Sequence, residues 1–263
     1  MQTQNRKDIR SAKIVGLIPA RWQSSRFEGK PLQLINGIPM IQRVYNQCTL
    51  VKSLEKVIVL TDDYRIQDFC TTNSIACLRI DDHCETGTDR CAKAIEFIEA
   101  DFFVNIQGDE PVIDPDSIDS LVNNFLKKDK GLDMFSKSKI RIGNAYTEIK
   151  DDEKLNDKNI VKVVFDKCKN ALFFSRHPVP YPKGTSKRYF QQLGLYIYSK
   201  DALKTFSKLP RLPLEKSEEV ELLRFLEHGY SVEMTKVKDI GLSVDVPDDI
   251  NSVEDYLNNL KNN

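Results

Sequence analysis

The chain has 263 residues, enough to bury one large core or two modest ones. Lysine plus arginine equal aspartate plus glutamate at 39 each, so the net charge is zero, which speaks against a general nucleic-acid binder with its basic excess. No apolar stretch approaches the roughly 20 residues of a membrane span.

The opening MQTQNRKDIRSAK is polar and lacks the apolar core of a signal peptide, so residues 1–13 are expected to be a flexible extension of a cytoplasmic protein. Six cysteines are then expected to stay reduced. Cys70, Cys77, Cys84 and Cys91 fall seven apart, which is not the close pairing of a zinc site.

Ile14-Val15-Gly16-Leu17-Ile18 is a short apolar run bounded by turn residues, as for a strand buried on both faces. Pro19 should end it, because proline cannot donate to a sheet ladder. A turn at Asn36-Gly37 precedes a helix from Pro39 to Lys52, with Met40, Ile41, Val44 and Tyr45 on one face. Lys56–Thr61 reads as a second strand, and Asp62 or Asp63 can cap a helix from Tyr64 to about Thr72. Ile75–Ile80 is a third strand, 81–90 a polar loop, and 89–100 a helix. Asp101–Ile106 is the next strand and 116–127 the next helix. Strands alternating with helices predict βαβ units, hence an α/β fold with a doubly wound, mostly parallel sheet.

The middle changes character. Residues 127–150 are lysine-rich and loosely periodic, and read as a solvated face. Strand runs at Ile160–Phe165 and Ala171–Phe174 flank a hairpin turn. Alternating Pro178, Pro180 and Pro182 demand extended, exposed backbone. A strand follows at Tyr189–Tyr198, then helices at 201–206 and 218–228, a strand at 232–237 and a last helix at 247–258. No linker is evident, so 14–263 is expected to be one domain with a β-rich insertion at about 130–200.

Arg21, Arg26 and Lys30 follow the first strand in a loop that also holds Ser24, Ser25 and Gly29. Backbone amides and cations beyond the carboxyl end of a strand suit a polyphosphate. The same residues fit a solvated basic loop equally well. Asp109 follows a buried strand directly and would project into the same crevice. Alone it also reads as a turn residue before Pro111. Asp245 could approach from the far side, or simply cap the last helix. Two carboxylates facing a triphosphate would suit Mg²⁺.

The stretch Ile18-Pro-Ala-Arg-x-x-Ser-Ser-Arg-Phe-x-Gly-Lys-Pro-Leu32 resembles the signature of the sugar-acid cytidylyltransferases, the CMP-Kdo synthetase group in particular (Kdo is 3-deoxy-manno-octulosonate). The likeness continues in order through 61–63, Thr86–Arg90, Asn105–Pro111, Phe174–Arg176, Leu193–Tyr196, 214–224 and Val244–Asp249. It implies a Rossmann-like three-layer nucleotidyltransferase fold, a flap and dimer interface in the insertion, and CMP transfer from CTP to a sugar acid for lipopolysaccharide or another surface glycan. By the same likeness Arg21, Ser24, Ser25, Arg26, Lys30, Thr86, Gly87, Thr88 and Asp109 bind the nucleotide, and Asp109 with Asp245 hold Mg²⁺. Arg21, Lys30, Asp109 and Asp245 are then the catalytic set. Gln107, Ser175, Arg176, Gln192, Tyr196 and Glu221 face the acid, with Arg176 on its carboxylate.

Three features depart from the pattern. Gln192 replaces a usual histidine, 84–88 reads Cys-Glu-Thr-Gly-Thr for His-Gln-Ser-Gly-Thr, and 182–193 is short. They put the acceptor, not the nucleotide, in question. An 8-amino Kdo analogue or a capsule or lipooligosaccharide acid is the alternative acceptor. A nucleotide-binding protein without catalysis is the alternative class.

Overall fold

The computed structural model describes residues 12–23, 27–128, 139–185, 188–238 and 241–261. Its first half runs β1 (Ile14–Ala20), a turn of 3-10 helix at Lys30–Leu32, a small hairpin of β2 (Leu34–Ile35) and β3 (Ile38–Pro39), α1 (Met40–Thr49), β4 (Lys56–Thr61), α2 (Tyr64–Thr72), β5 (Cys77–Arg79), α3 (Gly87–Ala94), β6 (Phe102–Ile106) and α4 (Pro115–Lys128). The second runs β7 (Ile142–Ile149), α5 (Asp152–Asn156), β8 (Lys162–Phe165), β9 (Ala171–Ser175), β10 (Tyr189–Ser199), α6 (Lys200–Phe206), α7 (Pro213–Glu218), α8 (Leu222–Glu227), β11 (Glu233–Lys236) and α9 (Asp249–Lys261).

The main sheet has the order β11-β7-β10-β6-β1-β4-β5, with the β8–β9 hairpin attached to β10. It is mixed and mostly parallel, as expected: along this path only β10 runs against its neighbours. Alternate residues of the central strands feed opposite faces. Val15, Leu17, Ile58, Leu60 and Phe103 pack with α3, α6 and α8 on one side. Ile14, Ile18, Val57, Val59, Val104 and Ile106 pack with α1, α2 and α4 on the other. Burial on both faces is why these strands read as continuous apolar runs.

Pro19 does not end β1, which continues to Ala20. Residues 13, 15, 17 and 19 of this strand turn their backbone toward β6, but that ladder stops at Leu17↔Asn105. Proline lacks the N–H that would extend this ladder, so the pairing with β6 ends while β1 continues against β4.

Residues 142–149 are not a solvated face: they form β7, between β10 and β11, with Ile142–Tyr146 buried. Small and polar residues disguise the strand. A Cβ on Gly143 would come within 2.7 Å of both Ile197 and Phe125, so glycine is needed for α4 and β10 to close on it. Asn144 is buried and donates to the carbonyls of Leu193 and Leu195 at 2.8 and 3.0 Å, where the β10 register shifts.

The helix expected over 218–228 is shorter, α8, and a further helix precedes it: Pro213 starts α7 at its first turn, and Glu219, with φ 51, ends it before α8. Over 81–90 the helix begins earlier than expected, at Gly87. Thr86 and Asp89 form a reciprocal capping box there, each satisfying the other's backbone N–H.

Candidate active site

Strand order reverses between β1 and β6, since β4 and β5 lie to one side of β1 and β6 to the other. In open α/β sheets a crevice opens beyond the carboxyl ends of strands at such a point. Here it is a cavity of about 440 Å³ whose walls include Pro19–Arg21 at the end of β1 and Gln107–Asp109 after β6. The two segments touch: a Cβ on Gly108 would lie 2.7 Å from the Pro19 carbonyl oxygen, so only glycine permits this approach.

Three distant segments are tied together at Asp109. Lys30 Nζ donates to Asp109 Oδ2 at 2.7 Å and to the Val244 carbonyl at 2.9 Å. The Val244 N–H in turn donates to the Asp109 carbonyl at 2.9 Å. Residues 241–244 form no strand, but this bond still delivers Asp245 to the cavity wall. Asp249 accepts the backbone N–H groups of Asp245 and Val246 at 2.7 and 2.9 Å at the head of α9.

On the third side Thr86 and Gly87 line the cavity at the start of α3, with Arg90 and Glu221 behind them. Thr88 turns inward instead: it is fully buried and accepts the Asn105 amide at 3.2 Å. The fourth wall comes from the α7–α8 region, through Arg211, Glu215 and Glu219. Glu215 and Arg224 are both buried and form a two-pronged ion pair at 2.7 and 2.8 Å. Arg224 also reaches Asp89 at 3.4 Å, tying this wall to the α3 cap.

The cavity therefore gathers Arg21, Lys30, Thr86, Gly87, Gln107, Asp109, Glu221 and Asp245 from the sequence-based set. Ser24, Ser25 and Arg26 lie outside the described residues. Four sugar-facing candidates are not on the cavity. Ser175 Oγ donates to Glu218 Oε1 at 2.9 Å. Arg176 spends its guanidinium on backbone carbonyls of Glu218, Lys158 and Glu219. Gln192 donates to the Tyr196 hydroxyl at 3.0 Å and to the Leu193 carbonyl at 2.7 Å. It lines a separate cavity of about 190 Å³ with Glu110, Asn159 and Ser243. Burial pushes the Tyr196 phenol well above its usual range. Arg211, Glu85 and Glu219 were not singled out from sequence. No spacing or motif marks Arg211, whereas Glu85 abuts a recognisable helix start.

A cytidylyltransferase family model matches residues 15–240. The chain belongs to the cytidylyltransferase family. It is 40% identical to the 3-deoxy-manno-octulosonate cytidylyltransferase of Syntrophotalea carbinolica, over 94% of this chain and 99% of that protein. It is also 40% identical to the 8-amino-3,8-dideoxy-manno-octulosonate cytidylyltransferase of Shewanella pealeana, over 92% and 97%. Among solved structures, CMP:2-keto-3-deoxy-manno-octonic acid synthetase complexed with CTP superposes with a TM-score of 0.86 at 34% identity, covering 94% of this chain and 99% of that one. The protein is thus a nucleotidyltransferase with cytidylyl transfer of the CMP-Kdo synthetase type. No helix among the described residues is long and apolar enough to cross a membrane.

In this cytidylyltransferase the cavity lining mixes the cations Arg21, Lys30, Arg90 and Arg211 with the carboxylates of Glu85, Asp109, Glu215, Glu219, Glu221 and Asp245. Burial holds the Glu221 carboxyl above the usual carboxylate range, and Asp89 adds to this, while the Thr88 hydroxyl and Arg224 pull the other way. A carboxyl raised in the folded state adds stability below its unfolded pKa and loses it as pH rises through the folded value. Glu221→Gln removes that loss. Its urea stability relative to wild type should therefore climb as pH rises above the ordinary glutamate range, from about pH 4 upward. A difference that stays constant over this range would contradict a raised Glu221.

Proposed function

We propose that this enzyme transfers CMP from CTP to the anomeric hydroxyl of a 3-deoxy 2-keto sugar acid, Kdo or a close analogue, for lipopolysaccharide or surface glycan synthesis. The carrying observation is the Lys30–Asp109–Val244 tie, which puts cations of the β1 loop and two carboxylates on one cavity. The hydroxyl oxygen forms a bond to the α-phosphorus, the α–β phosphoanhydride breaks, and pyrophosphate leaves. The protein's part is positioning and charge neutralisation.

Arg21 and Lys30 bind the triphosphate and the departing pyrophosphate. Gln107 and Glu221 orient the acceptor. Thr86 and Gly87 line the nucleotide end. Asp109 and Asp245 fit Mg²⁺, which takes one or two carboxylates and completes its shell with water and phosphate. No cluster of three or more acidic, histidine or cysteine side chains able to hold a metal exists among the described residues, so this pair suits a substrate-assisted ion rather than an all-protein cage. Bound there, the ion would polarise the α-phosphate and lower the pKa of the attacking hydroxyl. Lys30 would hold Asp109 in place until the metal–nucleotide complex arrives.

The 8-amino acceptor has its own support. Glu85, Glu215, Glu219 and Glu221 all line the cavity, a setting that favours an ammonium group on the sugar. We place the enzyme in the cytoplasm with its CTP supply, and its homodimer contact on the β8–β9 hairpin and the proline-rich stretch after it. Leu172 and Tyr181 are 63% and 85% exposed there.

The test is pyrophosphate release from CTP, UTP and ATP against Kdo, 8-amino Kdo and other sugar acids. Release should need CTP and a 3-deoxy 2-keto acid, by a protein that sediments as a dimer. Equal or greater release with UTP or ATP would reject the reading, and a monomer would reject the dimer contact.

A further inference from the structure

An acid acceptor brings a carboxylate into a cavity already lined by Glu85, Asp109, Glu215, Glu219, Glu221 and Asp245. An incoming carboxylate is favoured beside a cation. Arg21 and Lys30 follow β1, where the triphosphate is proposed to bind, and Lys30 is held by Asp109 at 2.7 Å. Arg90 is 4% exposed and committed to Asp62 at 2.6 Å and the Ile80 carbonyl at 3.0 Å. Arg176 is committed to the carbonyls of Glu218, Lys158 and Glu219 at 2.7, 3.0 and 3.4 Å. Its own backbone N–H donates to Glu218 Oε2 at 2.8 Å.

Arg211 is held differently. Its side chain is 33% exposed, and Nη1 meets the outlying Glu85 at 3.3 Å. Nε sits 3.2 Å from Glu215 Oε1, but without the alignment of a hydrogen bond. Glu215 already has its full two-pronged partner in Arg224. Charge-assisted N–H···O bonds are normally about 2.7–2.9 Å, so both Arg211 contacts are loose. A guanidinium held loosely at a cavity wall can turn its fork to an incoming carboxylate.

We propose that Arg211 receives the acceptor's carboxylate, and that Arg176 is a positioning residue. Arg176 clamps the 218–219 turn and so carries Glu219 and Glu221 into the cavity. The assignment rests on transfer to an acid acceptor, as proposed above.

The experiment compares Kdo with its C1 carboxamide, which has the same shape without the charge, at saturating CTP. Kdo is read by KM and the amide by its competitive inhibition constant, so the amide need not turn over. Arg211→Gln should raise the KM for Kdo by about 10- to 100-fold, the range for a lost bond to a charged group. It should leave the amide constant and the KM for CTP nearly unchanged. Arg176→Gln should weaken Kdo and amide alike and lower the melting temperature. Arg211→Lys keeps a point charge and should fall between wild type and Arg211→Gln, which also covers a poorly folding glutamine variant. Equal losses on Kdo and amide in Arg211→Gln, a raised KM for CTP instead, or an Arg176 penalty that vanishes with the amide would overturn the assignment. Wild-type turnover of Kdo with CTP checks the underlying reading in the same assay. Its absence would overturn both.

Discussion

Arg224→Met should cost the fold about 3–5 kcal/mol, the range for removing one partner of a buried ion pair. Arg224 and Glu215 have side chains 5% and 1% exposed and join at 2.7 and 2.8 Å. The guanidinium also lies 3.9 Å from the Phe206 ring centroid and reaches Asp89. Without it the Glu215 carboxylate stays buried with only the misaligned Arg211 beside it. Glu215→Leu alone should cost a similar amount by stranding the guanidinium. The double variant Arg224→Met/Glu215→Leu should recover most of the loss, because an apolar pair needs no desolvation of charge. Urea unfolding of the three variants reads this directly. A single-variant loss near that of a surface pair, about 0–1 kcal/mol, would show that the pair carries little.

Arg224 sits on a helical face with Glu221 at i−3, which by spacing is the local partner to expect. The actual partner, Glu215, stands across a helix break that Glu219 makes with a left-handed backbone. Nothing local announces that break, since glutamate is a good helix former.

Elements whose burial is intrinsic to their composition were legible. β1, β4 and β6 are apolar runs, Asp63 caps α2 by accepting from the Arg65 backbone, and the β8–β9 hairpin shows two apolar runs around a polar turn. β7 was hidden because a central strand here uses glycine and asparagine for close packing and for carbonyls left open by the β10 irregularity. The start of α3 was written in Thr86-x-x-Asp89, a capping-box spacing, but fell inside a stretch that reads as loop. For the site, Arg21, Lys30 and the segment Gln107–Asp109 could be placed, because topology fixes where strand ends point. Gln192 could not, because a side chain in a strand has two faces and only the assembled sheet decides which one meets the cavity, and neither could Arg176, which follows β9 and turns to the carbonyls of Glu218 and Glu219.

Asp109→Asn and Asp245→Asn should have the largest effect on activity. Asparagine matches aspartate in size, so the fold should survive while one charge is lost. In Asp109→Asn, Lys30 also loses its ion-pair partner at 2.7 Å but keeps the Val244 carbonyl at 2.9 Å. If the two carboxylates serve one Mg²⁺ beside the α-phosphate, each single variant should lose on the order of 10²-fold in turnover or more. Their effects should be far from additive, because removing the second ligand of an ion already displaced changes little. Two independent structural caps would instead give additive stability losses of about 1 kcal/mol each, with activity per folded molecule retained.

The single-turnover rate of CMP transfer from CTP to Kdo at saturating Mg²⁺, taken through the full double-variant cycle of Asp109→Asn and Asp245→Asn, tests this most directly. The expected result is a double variant scarcely slower than the slower single variant, and all three far below wild type. Wild-type turnover in Asp109→Asn would contradict a transfer centre at this cavity.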